Sequence, residues 1–177
     1  EDSVIGKTAS SSSLLQQRRV PFANPGSNAT QQTFMRFSNP NNTSTQVEVY
    51  GIDDRGTPNR SGPISFTLNA QASLQFTAQD MENGNTSKEL IGSFCDGKGK
   101  WQLIVRSDKS IEVMSLIRAP GGFLTSLNEV VPASADDRLM YFVNSASEPD
   151  QQTFMRIVNQ DATSGTVTNN AIDDGGN

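Results

Sequence analysis

From residue 34 to about residue 127, apolar and polar positions alternate with a period of two. This is the pattern of strands with one buried face and one wet face. Phe34 to Ser38 predicts a short strand, stopped by Asn39-Pro40-Asn41-Asn42. Thr45 to Ile52 predicts the next, with Val47 and Val49 on one face and Gln46 and Glu48 on the other. Asp53-Asp54-Arg55-Gly56 then turns the chain. Ile64, Phe66 and Leu68 alternate with Ser65 and Thr67, and Leu74 and Phe76 repeat the pattern after a short link. A helical turn is expected around Thr77 to Met81, and Asn83-Gly84 marks a turn. Trp101, Leu103 and Val105 share one strand face, so Trp101 is expected in the core rather than as an exposed ligand platform. Ser107-Asp108-Lys109 is a tight turn, and Ile111 to Ile117 is the most apolar strand and is placed centrally. Ala119-Pro120-Gly121-Gly122 breaks it before a last strand at Phe123 to Leu127. Strands this short, with turns this frequent, predict an all-β fold, a β-sandwich of immunoglobulin-like or fibronectin-III-like size.

The polar–apolar pattern also repeats. Gln31-Gln32-Thr33-Phe34-Met35-Arg36 recurs as Gln151-Gln152-Thr153-Phe154-Met155-Arg156, an offset of 120. With no gap, the same offset pairs Phe22 with Phe142, Asn24 with Asn144, Asn39 with Asn159, Val47 with Val167 and Ile52-Asp53-Asp54 with Ile172-Asp173-Asp174. From Arg18 to Gly56, 18 of 39 aligned positions are identical, too many for unrelated segments. Residues 18–132 therefore read as one complete sandwich, and 139–177 as the first strands of an incomplete second repeat. Residues 133–138 are the joint, and residues 1–17, with Ser10 to Ser13, a leader or linker.

Composition narrows the function classes. Only 34% of the 177 residues are apolar, which suits short strands and many polar turns. A net charge of −5 disfavours nucleic-acid partners, whose phosphates such a chain repels. No apolar run approaches the roughly 20 residues of a membrane-spanning helix. The chain has no histidine, which removes Ser-His-Asp and Cys-His catalysis and every imidazole metal site. It reads as a non-enzyme. Cys95 is the sole cysteine, so no disulfide forms within the chain; a buried, apolar role is favoured for it over a bridge between molecules.

Asn24 to Asn28, Gln32 to Arg36, Ile52 to Gly56, Glu82-Asn83-Gly84, Asp96 to Trp101, Ile111 to Ile117 and Gly122 to Thr125 together resemble a repeat module of secreted and cell-surface bacterial proteins. The resemblance covers about residues 20–127. It implies a β-sandwich in a bacterial envelope or secreted protein, and implies neither a ligand nor an active site.

Candidate chemistry is sparse. Asp53, Asp54, Asp173 and Asp174 offer hard oxygen ligands for calcium, with help needed from Asp80 or Glu82. An Asp-Gly β-turn accounts for the same residues and outweighs the metal reading. Asp96-Gly97-Lys98-Gly99-Lys100 lacks the ending of a phosphate loop and reads as a hairpin turn. Arg36 and Arg156 recur with the aspartates, which favours an Arg–Asp pairing over a solvated arginine. The unfinished repeat is the strongest functional lead. Its strands, with Phe154, Met155, Ile157, Val158, Val167 and Ile172, have no partners in a lone copy. Two completions are open: the parent protein continues beyond the given residues, or a neighbouring chain supplies the missing strands, which would make an assembly module, a fibre or surface-layer subunit joined by strand exchange. The alternative is a carbohydrate- or ligand-binding accessory module of a secreted enzyme or adhesin.

Overall fold

The computed structural model describes residues 16–56, 58, 62–95, 99–122, 124–126, 155–159 and 163–171. The chain divides into two units, Glu1–Ala133 and Ser134–Asn177. The 133–138 joint lies outside the described residues.

The first unit is an all-β sandwich. Its strands are β1 (Gln16–Ala23), β2 (Gln32–Ser38), β3 (Thr45–Asp53), β4 (Ile64–Leu68), β5 (Ser73–Thr77), β6 (Trp101–Ser107), β7 (Glu112–Arg118) and β8 (Leu124–Ser126). One antiparallel sheet has the order β1-β6-β3-β4, the other β5-β2-β7-β8. Only β3–β4 and β7–β8 are consecutive strands within one sheet; the other connections cross between sheets. The β2·β5 and β3·β6 pairings match the B–E and C–F pairs of an immunoglobulin constant domain. The first and seventh strands have changed places relative to that order. β1 lies beside β6, and β7 lies beside β2.

The period-two pattern explains the core. In β3, Thr45, Val47, Val49, Gly51 and Asp53 face inward, while Gln46 and Glu48 face out. Met35, Phe37, Val47, Val49, Ile64, Leu68 and Phe76 are fully buried. Phe37, Phe66 and Phe76 form a cluster with ring centroids 4.9–6.1 Å apart. Edge-to-face rings of this kind contribute beyond their buried area.

β1 was not foreseen as a strand. It takes in Gln16 and Gln17, which the sequence placed in the leader. Two adjacent arginines and Pro21 break its alternation. It is an edge strand with a register shift between Val20 and Ala23, where proline is tolerated. The expected helical turn is α1 (Ala78–Asn83), opened by a capping box in which Thr77 and Asp80 bond each other's backbone N–H. Asn83-Gly84 is therefore a helix end and not a hairpin turn. Gly84 has φ 77°, and a Cβ there would lie 2.9 Å from the Gly92 carbonyl oxygen.

The described stretches of the second unit, 155–159 and 163–171, form no strand. In the first unit, β2 is held between β5 and β7, and β3 between β4 and β6.

Candidate functional site

Two ends of the first sandwich are tied by polar side chains. At one end, Asn39 is buried between the sheets. Its amide donates to the carbonyls of Thr43 (2.9 Å), Leu68 (3.1 Å) and Asn69 (3.0 Å). Its carbonyl oxygen accepts from the backbone and side-chain N–H groups of Asn41. Asn41 in turn donates to Ser110 O at 2.8 Å. Asn39 thus joins the β2–β3 link to the end of β4, and Asn41 extends the tie to the β6–β7 link. Asp108 accepts the Thr45 hydroxyl and the Gln46 N–H at the same end.

At the other end, Trp101 is buried with Phe94 beside it at 5.3 Å. Its indole N–H donates to Glu82 Oε1 at 2.7 Å, and Glu82 Oε2 accepts the Gly26 N–H at 3.0 Å. Glu82 therefore links α1, β6 and the β1–β2 link. Neighbouring Asp80 accepts from Thr77, Asn85 and Lys88, the last at 2.6 Å. Burial pushes the Asp80 carboxyl up, but these hydrogen bonds outweigh it and hold the pKa at about 2.

The calcium reading gains nothing from this geometry. Asp53 Oδ1 accepts the Arg55 N–H and its carbonyl accepts the Gly56 N–H, so it closes its own turn. Asp54 accepts the Lys100 N–H at 2.8 Å. Asp80 and Glu82, the acids expected to help, are engaged in the bonds above. Among the described residues no group of three His, Cys, Asp or Glu side chains comes together to hold a metal. Asp173 and Asp174 lie outside the described residues, as does 96–98 of the glycine-rich stretch.

Two expectations are corrected. Arg36 lies on the outer face of its sheet, whereas Asp53 faces inward from the opposite sheet, so the two do not pair. Cys95 is exposed, not buried. Its backbone has φ 59°, set by the N–H bond to Glu82 O that continues the Phe94–Met81 bond. That conformation turns the side chain away from the core that Phe94 enters.

The second unit carries the informative geometry. Met35, Phe37 and Val47 are each 0% exposed; their counterparts at the 120 offset, Met155, Ile157 and Val167, are 54%, 52% and 58% exposed. One hydrogen bond of the first copy nevertheless recurs in the second. Asn159 donates to Thr163 O at 2.7 Å, as Asn39 donates to Thr43 O at 2.9 Å. That bond is repeated, while the apolar side chains of the same residue pattern are exposed. Val158 is half-buried; Phe154 and Ile172 lie outside the described residues. Sequence reasoning found these residues through the repeat. It missed the Asn39 and Glu82 ties, although the recurrence of Asn39 as Asn159 carried a signal for the first.

No family model matches the chain, and no curated protein matches it. Among solved structures it is similar to one described as Anabaena sensory rhodopsin transducer, with 12% identity and a TM-score of 0.41, over 55% of this chain and 89% of that one. No helix among the described residues is long and apolar enough to cross a membrane.

Proposed function

We propose that the chain is a non-catalytic, extracellular structural module of a tandem-repeat protein, which assembles when the strands of its second copy are covered by strands of a neighbouring molecule. One observation carries this reading. Residues buried in the first copy, Met35, Phe37 and Val47, recur as Met155, Ile157 and Val167 with more than half of their surface exposed. Burying such side chains contributes about 1.5–3 kcal/mol each, which favours covering them with further strands, supplied by a later part of the same protein or by a neighbouring molecule. The Asn159–Thr163 bond supports it, because it repeats the Asn39–Thr43 bond of the first copy. The secreted or cell-surface bacterial setting rests on the resemblance of residues 20–127 to modules of such proteins. An accessory ligand-binding role has less support: Phe37, Phe66, Phe76, Phe94 and Trp101 fill the interior rather than a platform.

Sedimentation and electron microscopy of the purified chain test the proposal. Ordered assemblies are expected, and they should be lost when residues 134–177 are removed. A full chain that stays monodisperse at the highest attainable concentration, or a shortened chain that assembles equally well, would overturn it.

A further inference from the structure

Similar repeats carry a hazard: the strand pair of one copy can enter the core of the other, and misassembly of this kind is characteristic of repeat proteins. Here the hazard is acute. Residues 152–156 are identical to 32–36 of β2, and the first sandwich has one slot for two such segments. Were the two segments identical throughout, nothing in the slot would prefer one over the other. The positions at which they differ are therefore informative.

Four of the differences fall on the inward face. Ile157 stands where Phe37 meets Phe66 at 5.0 Å and Phe76 at 6.1 Å, so those ring contacts would be lost. Gly165 stands where Thr45 donates its hydroxyl to Asp108. Asn169 stands where Val49 is fully buried, opposite Val105 and Ile64, which offer its amide no side-chain partner. Ala171 stands where Gly51 lies beneath the Trp101 ring. A Cβ there would be 3.0 Å and 3.1 Å from two ring carbons and 3.2 Å from Phe94. Trp101 cannot yield easily, because it is buried, bonded to Glu82 and packed on Phe94. Each change keeps the outer pattern and the Asn39/Asn159 turn but spoils the fit to this core.

We infer that Ile157, Gly165, Asn169 and Ala171 are specificity determinants that exclude the second strand pair from the core of the first sandwich and so assign each pair to its own copy. Polar burial does most of the discrimination, since an amide without a partner inside a core is penalised far more than a lost contact. The inference rests on the register shared by the two copies. It does not depend on what covers the second one, so its failure and that of the assembly reading are seen in different experiments.

Disulfide trapping reads the slot directly. Ser38 and Ser73 face each other across β2 and β5 with oxygens 2.7 Å apart, and Val158 is the counterpart of Ser38. In a Cys95→Ser background, Ser38→Cys with Ser73→Cys should close a bond, which calibrates the site. Ser73→Cys with Val158→Cys should stay open. Adding Ile157→Phe, Gly165→Thr, Asn169→Val and Ala171→Gly should raise the 73–158 bonded fraction at least about tenfold, within or between molecules. Equal bonding with and without these four changes would overturn the inference. As a second measurement, Val49→Asn and Gly51→Ala should each lower Tm by roughly 4 °C or more, with Val49→Asn melting below Val49→Ala. An unchanged Tm for either would also overturn it.

Discussion

Single polar side chains hold the ends of this sandwich, and their removal should be felt well beyond their size. The Asn39 side chain takes part in five hydrogen bonds from a position 2% exposed. Asn39→Ala leaves buried carbonyls of β4 and the β2–β3 link unsatisfied. It should lower the urea-unfolding free energy by about 2–3 kcal/mol, against a few tenths for exposed Asn42→Ala. Asp80 makes a prediction about pH. Its carboxyl is held at about 2 in the folded chain, below the ordinary carboxylate value of 3.8. A depressed folded pKa means that the stabilisation is fully present above the unfolded pKa and is lost as pH falls from about 4 through about 2. The effect is about 1–2 kcal/mol, allowing for the solvent around Lys88. Asp80→Asn should flatten the stability profile over that window and leave its shape near neutrality alone. A variant that keeps the parent's acid slope would show that other carboxylates govern it.

At the scale of elements, strands with clean alternation were legible and those shaped by tertiary contacts were not. Ile64–Leu68 and Trp101–Ser107 could be read because one face meets the core along their whole length. β1 was hidden because an edge strand buries little, so Arg18, Arg19 and Pro21 are tolerated there. Ends and links were misread where distant partners decide. Asn83-Gly84 carries hairpin chemistry, but the capping box at Thr77 and Asp80 extends a helix into it. Local sequence gives no hint that Glu82 reaches both Trp101 and Gly26, which are 19 and 56 residues away. Glu82→Ala should therefore loosen three elements together. We expect a loss of about 1.5–3 kcal/mol and a red shift of Trp101 fluorescence as water reaches the indole. An unshifted spectrum at unchanged stability would mean that the tie is incidental. The second-copy residues were legible because duplication is visible in sequence.

The chain carries one sandwich and, 120 residues on, a repeat of its early sequence in which Met155, Ile157 and Val167 are exposed. Thr-Phe-Met-Arg occurs in both copies, so Met35 and Met155 share the same flanking residues and differ only in what covers them. Peroxide oxidation followed by peptide mass spectrometry compares the two thioethers within one molecule. In dilute protein Met155 should oxidise quickly and Met35 slowly, and in sedimented assemblies the Met155 rate should fall toward that of Met35. Assemblies in which Met155 stays as reactive as in dilute protein would contradict association through the second copy.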